Sequence, residues 1–296
     1  MTGHSSLRDL VAGDRIVVAP GAYDMLSALL VEQAGFSCIY LTGNGQAAST
    51  LGLPDLGLMT LSEMAERVRR TAACTSLPLI ADADVGYGSL LSVQRAVREF
   101  ESAGASAIQL EDQASPKKCG HELGRELVAV EEMVARLRAA VDARTSAELL
   151  VVARTDARTT LGLEEAIRRG RAYLDAGADV IFVESPESEE ELAEVARAIP
   201  GPTLANMVET GRTPYLSWQR LGELGFKVAI YPGSAFLAAA GGVRAVLTEI
   251  RDRGRAEDSL ARMLTLREYH DLLRFEELLE VEQGYRALRQ PAGAQT

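Results

Sequence analysis

Gln33-Ala34-Gly35-Phe36, Ser102-Ala103-Gly104-Ala105, Asp175-Ala176-Gly177-Ala178 and Glu223-Leu224-Gly225-Phe226 are variants of one phrase. Each closes an amphipathic run with glycine and leads into a short apolar, β-rich segment. A glycine just past the last turn accepts the left-handed backbone that ends a helix, so the phrase reads as helix, stop, buried strand. Short apolar runs separated by helices point to parallel strands covered on both faces. The expected strands are Ile16–Val18, Cys38–Leu41, Leu79–Ala81, Ala107–Leu110, Leu150–Ala153, Val180–Val183, Thr203–Ala205 and Val228–Ile230. Helical patterns lie between them, including Leu90–Ala103, Glu131–Ala143 and Leu163–Ala176. Eight such units in about 250 residues fit a closed (β/α)8 barrel of TIM type better than an open doubly wound sheet.

With 47 % hydrophobic residues, the 296-residue chain could fill one large α/β barrel or two ordinary domains. No linker or composition shift divides it, so residues 1–296 read as a single domain. Beyond the eighth unit, Ser259–Leu288 carries Leu260, Met263, Leu264, Leu272, Leu273, Leu278 and Leu279 at helical spacing. A barrel does not need this stretch, and burying its stripe points to 259–288 as an oligomerisation helix.

A net charge of −11 repels nucleic acid and anionic membranes alike. No stretch is apolar enough to span a bilayer. Cys38, Cys74 and Cys119 are too few and too scattered for a disulfide framework. The polar stretch Met1 to Asp14 lacks a signal peptide's apolar core, so the expected location is cytoplasmic.

In such a barrel the active site lies at the carboxyl ends of the strands. There stand Thr42-Gly43-Asn44-Gly45, Asp82-Ala83-Asp84, Glu111-Asp112, Arg154-Thr155-Asp156, Glu184 and Asn206. Acids from successive strands in one mouth repel each other unless a cation neutralises them, and carboxylate oxygens favour Mg²⁺ or Mn²⁺. Solvated turn acids at 82 and 84, and salt bridges from Glu111 and Glu184 to Arg154, are the competing readings. Gly43-Asn44-Gly45-Gln46-Ala47-Ala48 mimics a dinucleotide fingerprint. Gly52 and Pro54 interrupt the long helix that should follow, so it reads instead as a glycine loop offering N–H groups to an anion.

Lys117-Lys118-Cys119-Gly120-His121 is a second constellation. Its lysines and histidine favour the Cys119 thiolate, which could exchange a proton with a carbanion or attack covalently. An incidental surface cysteine is the competing reading, while half a zinc site would need a second Cys/His pair and none lies at a plausible spacing.

Taken in order, Gly21-Ala22-Tyr23-Asp24, Leu51–Asp55, Asp82–Gly88, Glu111-Asp112-Gln113, Lys117–His121, Ala153–Asp156 and Ala205–Glu209 resemble the isocitrate lyase/phosphoenolpyruvate mutase superfamily over nearly the whole chain. The resemblance implies a barrel whose terminal helix is swapped between subunits, usually in a homotetramer. It implies Mg²⁺ held largely through water by Asp82, Asp84 and Glu111, with Asp55 in support. Thr42, Gly43 and Asn44 would bind a small 2-hydroxy or 2-oxo carboxylic acid, with Arg154, Glu184 and Asn206 around it. Lys117, Cys119 and His121 would belong to a mobile gate, Cys119 serving as proton donor and Tyr40 as a candidate base for the substrate hydroxyl.

The Cys-Gly-His run resembles the lyase branch, which cleaves alkylmalates or 2-methylisocitrate to a 2-oxo acid and a carboxylate. Carboxyvinyl-carboxyphosphonate mutases, which form P–C bonds, share Ala205–Glu209 and Ala229–Pro232, and oxaloacetate hydrolysis or decarboxylation would use the same enolate chemistry. A barrel that only binds a metabolite is disfavoured by the retained acids and cysteine. Methylisocitrate lyases generally carry Leu and Arg where this chain has Gly233 and Leu237. Leu237 removes a carboxylate partner and Gly233 is expected to open local room, so an apolar-armed substrate is expected over a tricarboxylate.

Overall fold

The computed structural model describes residues 6–120, 122 and 124–288. Its strands are β1 (Val17–Ala22), β2 (Ile39–Leu41), β3 (Leu79–Asp82), β4 (Ala107–Glu111), β5 (Leu150–Thr155), β6 (Val180–Val183), β7 (Thr203–Asn206) and β8 (Val228–Tyr231). All neighbours pair in parallel, and β1 pairs with β8 to close the barrel. Gly35, Gly104, Gly177 and Gly225, the glycines of the repeated phrase, have φ of 82°, 99°, 102° and 103°. That is the left-handed stop the phrase required. Most strands run one or two residues past their expected carboxyl ends, because Asp82, Glu111, Arg154, Thr155 and Asn206 extend the ladder although they are not apolar.

Alternation along the strands organises the interior. Val17, Ala19, Ile80, Ala107, Val152, Phe182, Leu204 and Ile230 form one buried cluster with Leu7 and Val11 of the first helix. The residues between them, such as Ile108, Leu110, Val151, Ala153, Ile181 and Ala229, join a larger cluster with the surrounding helices. Burying each large side chain contributes roughly 1.5–3 kcal/mol, so the apolar lower layer stabilises a polar one above it. Continued up the strands, the first set reaches Thr42, Asp82, Glu111, Arg154, Glu184 and Asn206. Barrel register thus gathers polar residues that are 164 positions apart from first to last (206 minus 42).

The described chain falls into two compact units that divide between Leu237 and Ala238. The second contains most of the helix Ser234–Arg253, a 3₁₀ turn Leu260–Arg262, and helices Leu266–Leu272 and Phe275–Leu288. The further helix expected over 259–288 is therefore broken. Thr265 and Glu268 form a capping box that starts one helix, and Arg274 at φ 55° ends its run before the next. On the last helix Leu278, Val281, Tyr285 and Leu288 are exposed.

Candidate active site

A cavity of about 160 Å³ opens at the carboxyl ends of the strands. Tyr40, Thr42, Asn44, Asp55, Asp82, Cys119, Arg154, Glu184, Asn206, Gly233 and Leu237 all line it. Drug-sized ligand pockets are roughly 300–1,000 Å³, so this one suits a compact acid.

Thr42 is the N-cap of a nine-residue helix, Gly43–Leu51, and its Oγ1 accepts from the Gly45 N–H at 3.5 Å. The expected glycine loop is therefore a helix start. Its free N–H groups and dipole still favour an anion, now with a defined direction. Gly43 is obligatory for packing, since a Cβ there would lie 2.6 Å from Asp82 Oδ2.

The acids meet a cation from the chain itself. Lys117 is buried, with its Nζ against Asp55 Oδ1 and 2.6 Å from Asp84 Oδ1. Burial alone would lower its pKa, but Asp84, Glu111, Asp82 and Asp55 raise it well above the ordinary lysine value. Burial pushes Asp84 up to about 6, opposed by Lys117 and aided by Asp82 and Asp55. Burial likewise drives Glu111 well above the carboxylate range, despite Arg154.

Glu111 Oε1 is buried with no hydrogen-bond partner, and the four acids Asp55, Asp82, Asp84 and Glu111 offer oxygen alone. This donor set fits a hard divalent cation. No three His, Cys, Asp or Glu side chains among the described residues form a direct-ligand set.

Arg154 faces three carboxylates. Its Nε and NH2 donate to Asp156 at 3.0 and 2.8 Å, while Glu111 and Glu184 lie 3.5 and 3.3 Å away. The guanidinium sits 5.1 Å over the Phe182 ring. Burial opposes its charge, but Asp156, Glu111 and Glu184 hold it firmly protonated. Asn206 Nδ2 donates to Glu184 Oε2 at 3.1 Å, leaving Asn206 Oδ1 buried and unpartnered.

Tyr40 donates its hydroxyl to Gln109 at 3.1 Å, and Gln109 Nε2 lies 3.4 Å from Asp82 Oδ1. Burial, then Asp82, raises this phenol well above its usual pKa. A phenol held protonated is a hydrogen-bond donor, which opposes the expected role as base.

The loop bearing Cys119 lies against the cavity. Gln113 clamps it from both sides, accepting from the Lys118 N–H and donating to the Lys118 carbonyl, each at 2.9 Å. Ser185 Oγ donates to the Gly120 carbonyl at 3.3 Å. Cys119 is half-buried, whereas Cys38 is fully buried and its thiol is pushed up to about 12, chiefly by burial. His121 lies outside the described residues.

Gly233 lines the cavity but does not face empty space in its Cβ direction. A Cβ there would lie 2.9 Å from Glu209 Oε2 and 3.2 Å from Leu237 Cδ1, so the space is already filled.

Sequence reasoning missed Gln109, although it continues the inward alternation of β4, and gave Gln113 no role of its own. It also missed the buried network behind Arg154. There Asp112 accepts from Thr155, Arg169, Tyr173 and the Asp156 N–H, while Arg125 pairs with Asp156. Nothing local marks those pairings, which span up to 61 positions.

A family model described as phosphoenolpyruvate phosphomutase matches residues 7–251. The chain belongs to the phosphoenolpyruvate mutase/isocitrate lyase superfamily. It is an enzyme of that superfamily, and its curated relatives include oxo-acid carbon–carbon lyases. A 2,3-dimethylmalate lyase of Eubacterium barkeri is 46 % identical over 96 % of this chain and 99 % of that protein. A solved oxaloacetate acetylhydrolase in complex with 3,3-difluorooxalacetate superimposes with a TM-score of 0.90, at 36 % identity over 96 % of this chain and 97 % of the other. A phosphonopyruvate hydrolase complexed with oxalate and Mg²⁺ gives 0.86, at 35 % identity over 96 % and 99 %. No helix among the described residues is long and apolar enough to cross a membrane.

Proposed function

We propose that this chain is a cytoplasmic Mg²⁺-dependent lyase that cleaves a 2-hydroxy di- or tricarboxylate of the alkylmalate or 2-methylisocitrate type. The products are a 2-oxo acid and a carboxylate, with Cys119 as proton donor. Within that class an alkylmalate with one apolar arm is favoured. One observation carries the reading: Cys119, Asp82, Arg154 and the Thr42 helix start share a single small cavity, completed by Val208, Ile230, Pro232, Phe236 and Leu237. Arg154 is the only cation lining it among the described residues, so a third carboxylate would enter without a partner. Similarity to a dimethylmalate lyase supports the same choice.

Asp82, Asp84 and Glu111, with Asp55 behind them, would hold Mg²⁺, or Mn²⁺ in its place. When bound, the ion supplies positive charge to the oxyanions that develop during cleavage. The chain does the rest. Arg154 and the N–H groups at Gly43 and Asn44 orient the substrate carboxylate, with Glu184 and Asn206 holding the guanidinium side. Tyr40 donates a hydrogen bond and stays protonated. The closed loop, seated by Lys117 on Asp55 and Asp84, excludes water from the carbanion until Cys119 protonates it. His121 belongs to the same gate. The second unit's apolar stripe would be buried by helix exchange in a homotetramer.

A second reading, hydrolysis of a 2-oxo diacid, is favoured by the similarity to oxaloacetate acetylhydrolase. Both are tested by a panel of 2-hydroxy and 2-oxo diacids with Mg²⁺, measuring 2-oxo acid and oxalate release. Alkylmalates should give the highest kcat/KM, and Cys119→Ser should lower kcat by roughly 10²–10⁴ with KM little changed. Release of oxalate with its partner carboxylate, and of no 2-oxo acid, would favour the second reading, and turnover unaffected by the substitution would remove Cys119 from the chemistry.

A further inference from the structure

We propose that Glu209 is a specificity-determining residue: an uncompensated carboxylate behind the Gly233–Leu237 wall that rejects substrates with an anionic arm. The inference rests on the small-acid reading of the cavity and adds an active repulsion to the missing cation at Leu237.

Glu209 follows β7 and reaches the segment after β8. Its Oε1 accepts from Tyr215 Oη at 3.1 Å and from Ser234 Oγ. Its Oε2 is buried without any hydrogen-bond partner. Both donors are neutral, and no cation pairs with Glu209 among the described residues. That bare oxygen lies 2.9 Å from where a Cβ on Gly233 would stand, and Leu237 Cδ1 lies 3.2 Å from the same point. Gly233 and Leu237 therefore both line the cavity and lie against the Glu209 carboxylate.

Its charge is felt nearby. The Tyr215 phenol is raised by burial and then by Glu209. Tyr231 is pushed up to about 12 by burial, with Tyr215 and Glu209 adding to it. In a poorly screened wall, a like charge brought to the same place is strongly disfavoured, whereas an alkyl arm is not. The absent side chain at Gly233 lets the carboxylate approach the cavity.

The test compares two succinates of one heavy-atom skeleton, 2-isobutylsuccinate and tricarballylate, which differ in the charge of the arm. Dissociation constants are measured by calorimetry with Mg²⁺ present. The wild-type chain should favour the isobutyl acid by about tenfold or more, each tenfold being 1.4 kcal/mol. Glu209→Gln should narrow that ratio by about fivefold, an effect expected for removing a like charge. Leu237→Lys, which sets a cation against the carboxylate, should narrow it further, and serves if the first variant does not fold. A ratio unchanged within about twofold in the folded variants overturns the role of Glu209. A wild-type chain that binds neither acid would instead sink the small-acid reading, and this inference with it.

Discussion

A methyl group at position 120 has nowhere to go. The Cβ of an alanine there would overlap the Arg154 NH2 and lie 2.8 Å from Glu184 Oε2. Either the loop lifts or the guanidinium moves, and a displacement near 1 Å from productive geometry costs about a hundredfold. Gly120→Ala should therefore lower kcat/KM by roughly 10–100-fold while Tm shifts by less than about 4 °C, since the loss is in the site and not in the core. Full activity in this variant would mean that the loop does not rest on Arg154 during turnover. Gly233 shows a related constraint, because its missing side chain admits Glu209.

Among the described residues, hydrogen bonds tie the Cys119 loop down beside the ion pairs of Lys117. Gln113 supplies two of them to Lys118, and Lys118 Nζ adds one to the Gly124 carbonyl at 2.9 Å. Hydrogen bonds of this kind contribute roughly 0.5–1.5 kcal/mol each, so removing two raises the open population by about tenfold or more. Gln113→Ala should speed trypsin cleavage at Lys117 and Lys118 about tenfold, read by mass spectrometry of the fragments. An unchanged rate would show that Lys117 on Asp55 and Asp84 is the sufficient clasp. The helix Gly43–Leu51 is the other functional element, and its sequence invited the wrong description. Gly43 and Gly45 suggest a loop, but tertiary packing overrides that weak propensity. Thr42 caps the helix, and a Cβ at Gly45 would meet Thr42 Cγ2 and the Tyr23 Cβ at 2.7 and 2.8 Å.

For the whole molecule, exposed Leu278, Val281, Tyr285 and Leu288 on the last helix set the expectation for assembly. Light scattering should give a tetramer for the wild-type chain, and Leu278→Glu with Tyr285→Glu should lower the mass to dimer or monomer; a mass unaffected by both charges would place the interface elsewhere. Barrel order and strand positions were legible in the linear chain, and most of the cavity's lining residues were named from it or from the family resemblance. Helix stops are local events at single glycines, and the two-residue alternation of a strand carries its polar end residues to one rim. Pairing was legible only in part: salt bridges from Glu111 and Glu184 to Arg154 were among the readings of the sequence, and both are present. Nothing near Lys117 announces that its ammonium seats on Asp55 and Asp84, nor near Tyr40 that Gln109 keeps it a donor, nor near Gly233 that Glu209 fills the space. The sequence by itself determined which chemical groups reach the mouth of the barrel. Only the tertiary structure decided which of them neutralise one another and which charge is left over, because those energies depend on through-space distance and burial, and neither is a property of sequence spacing.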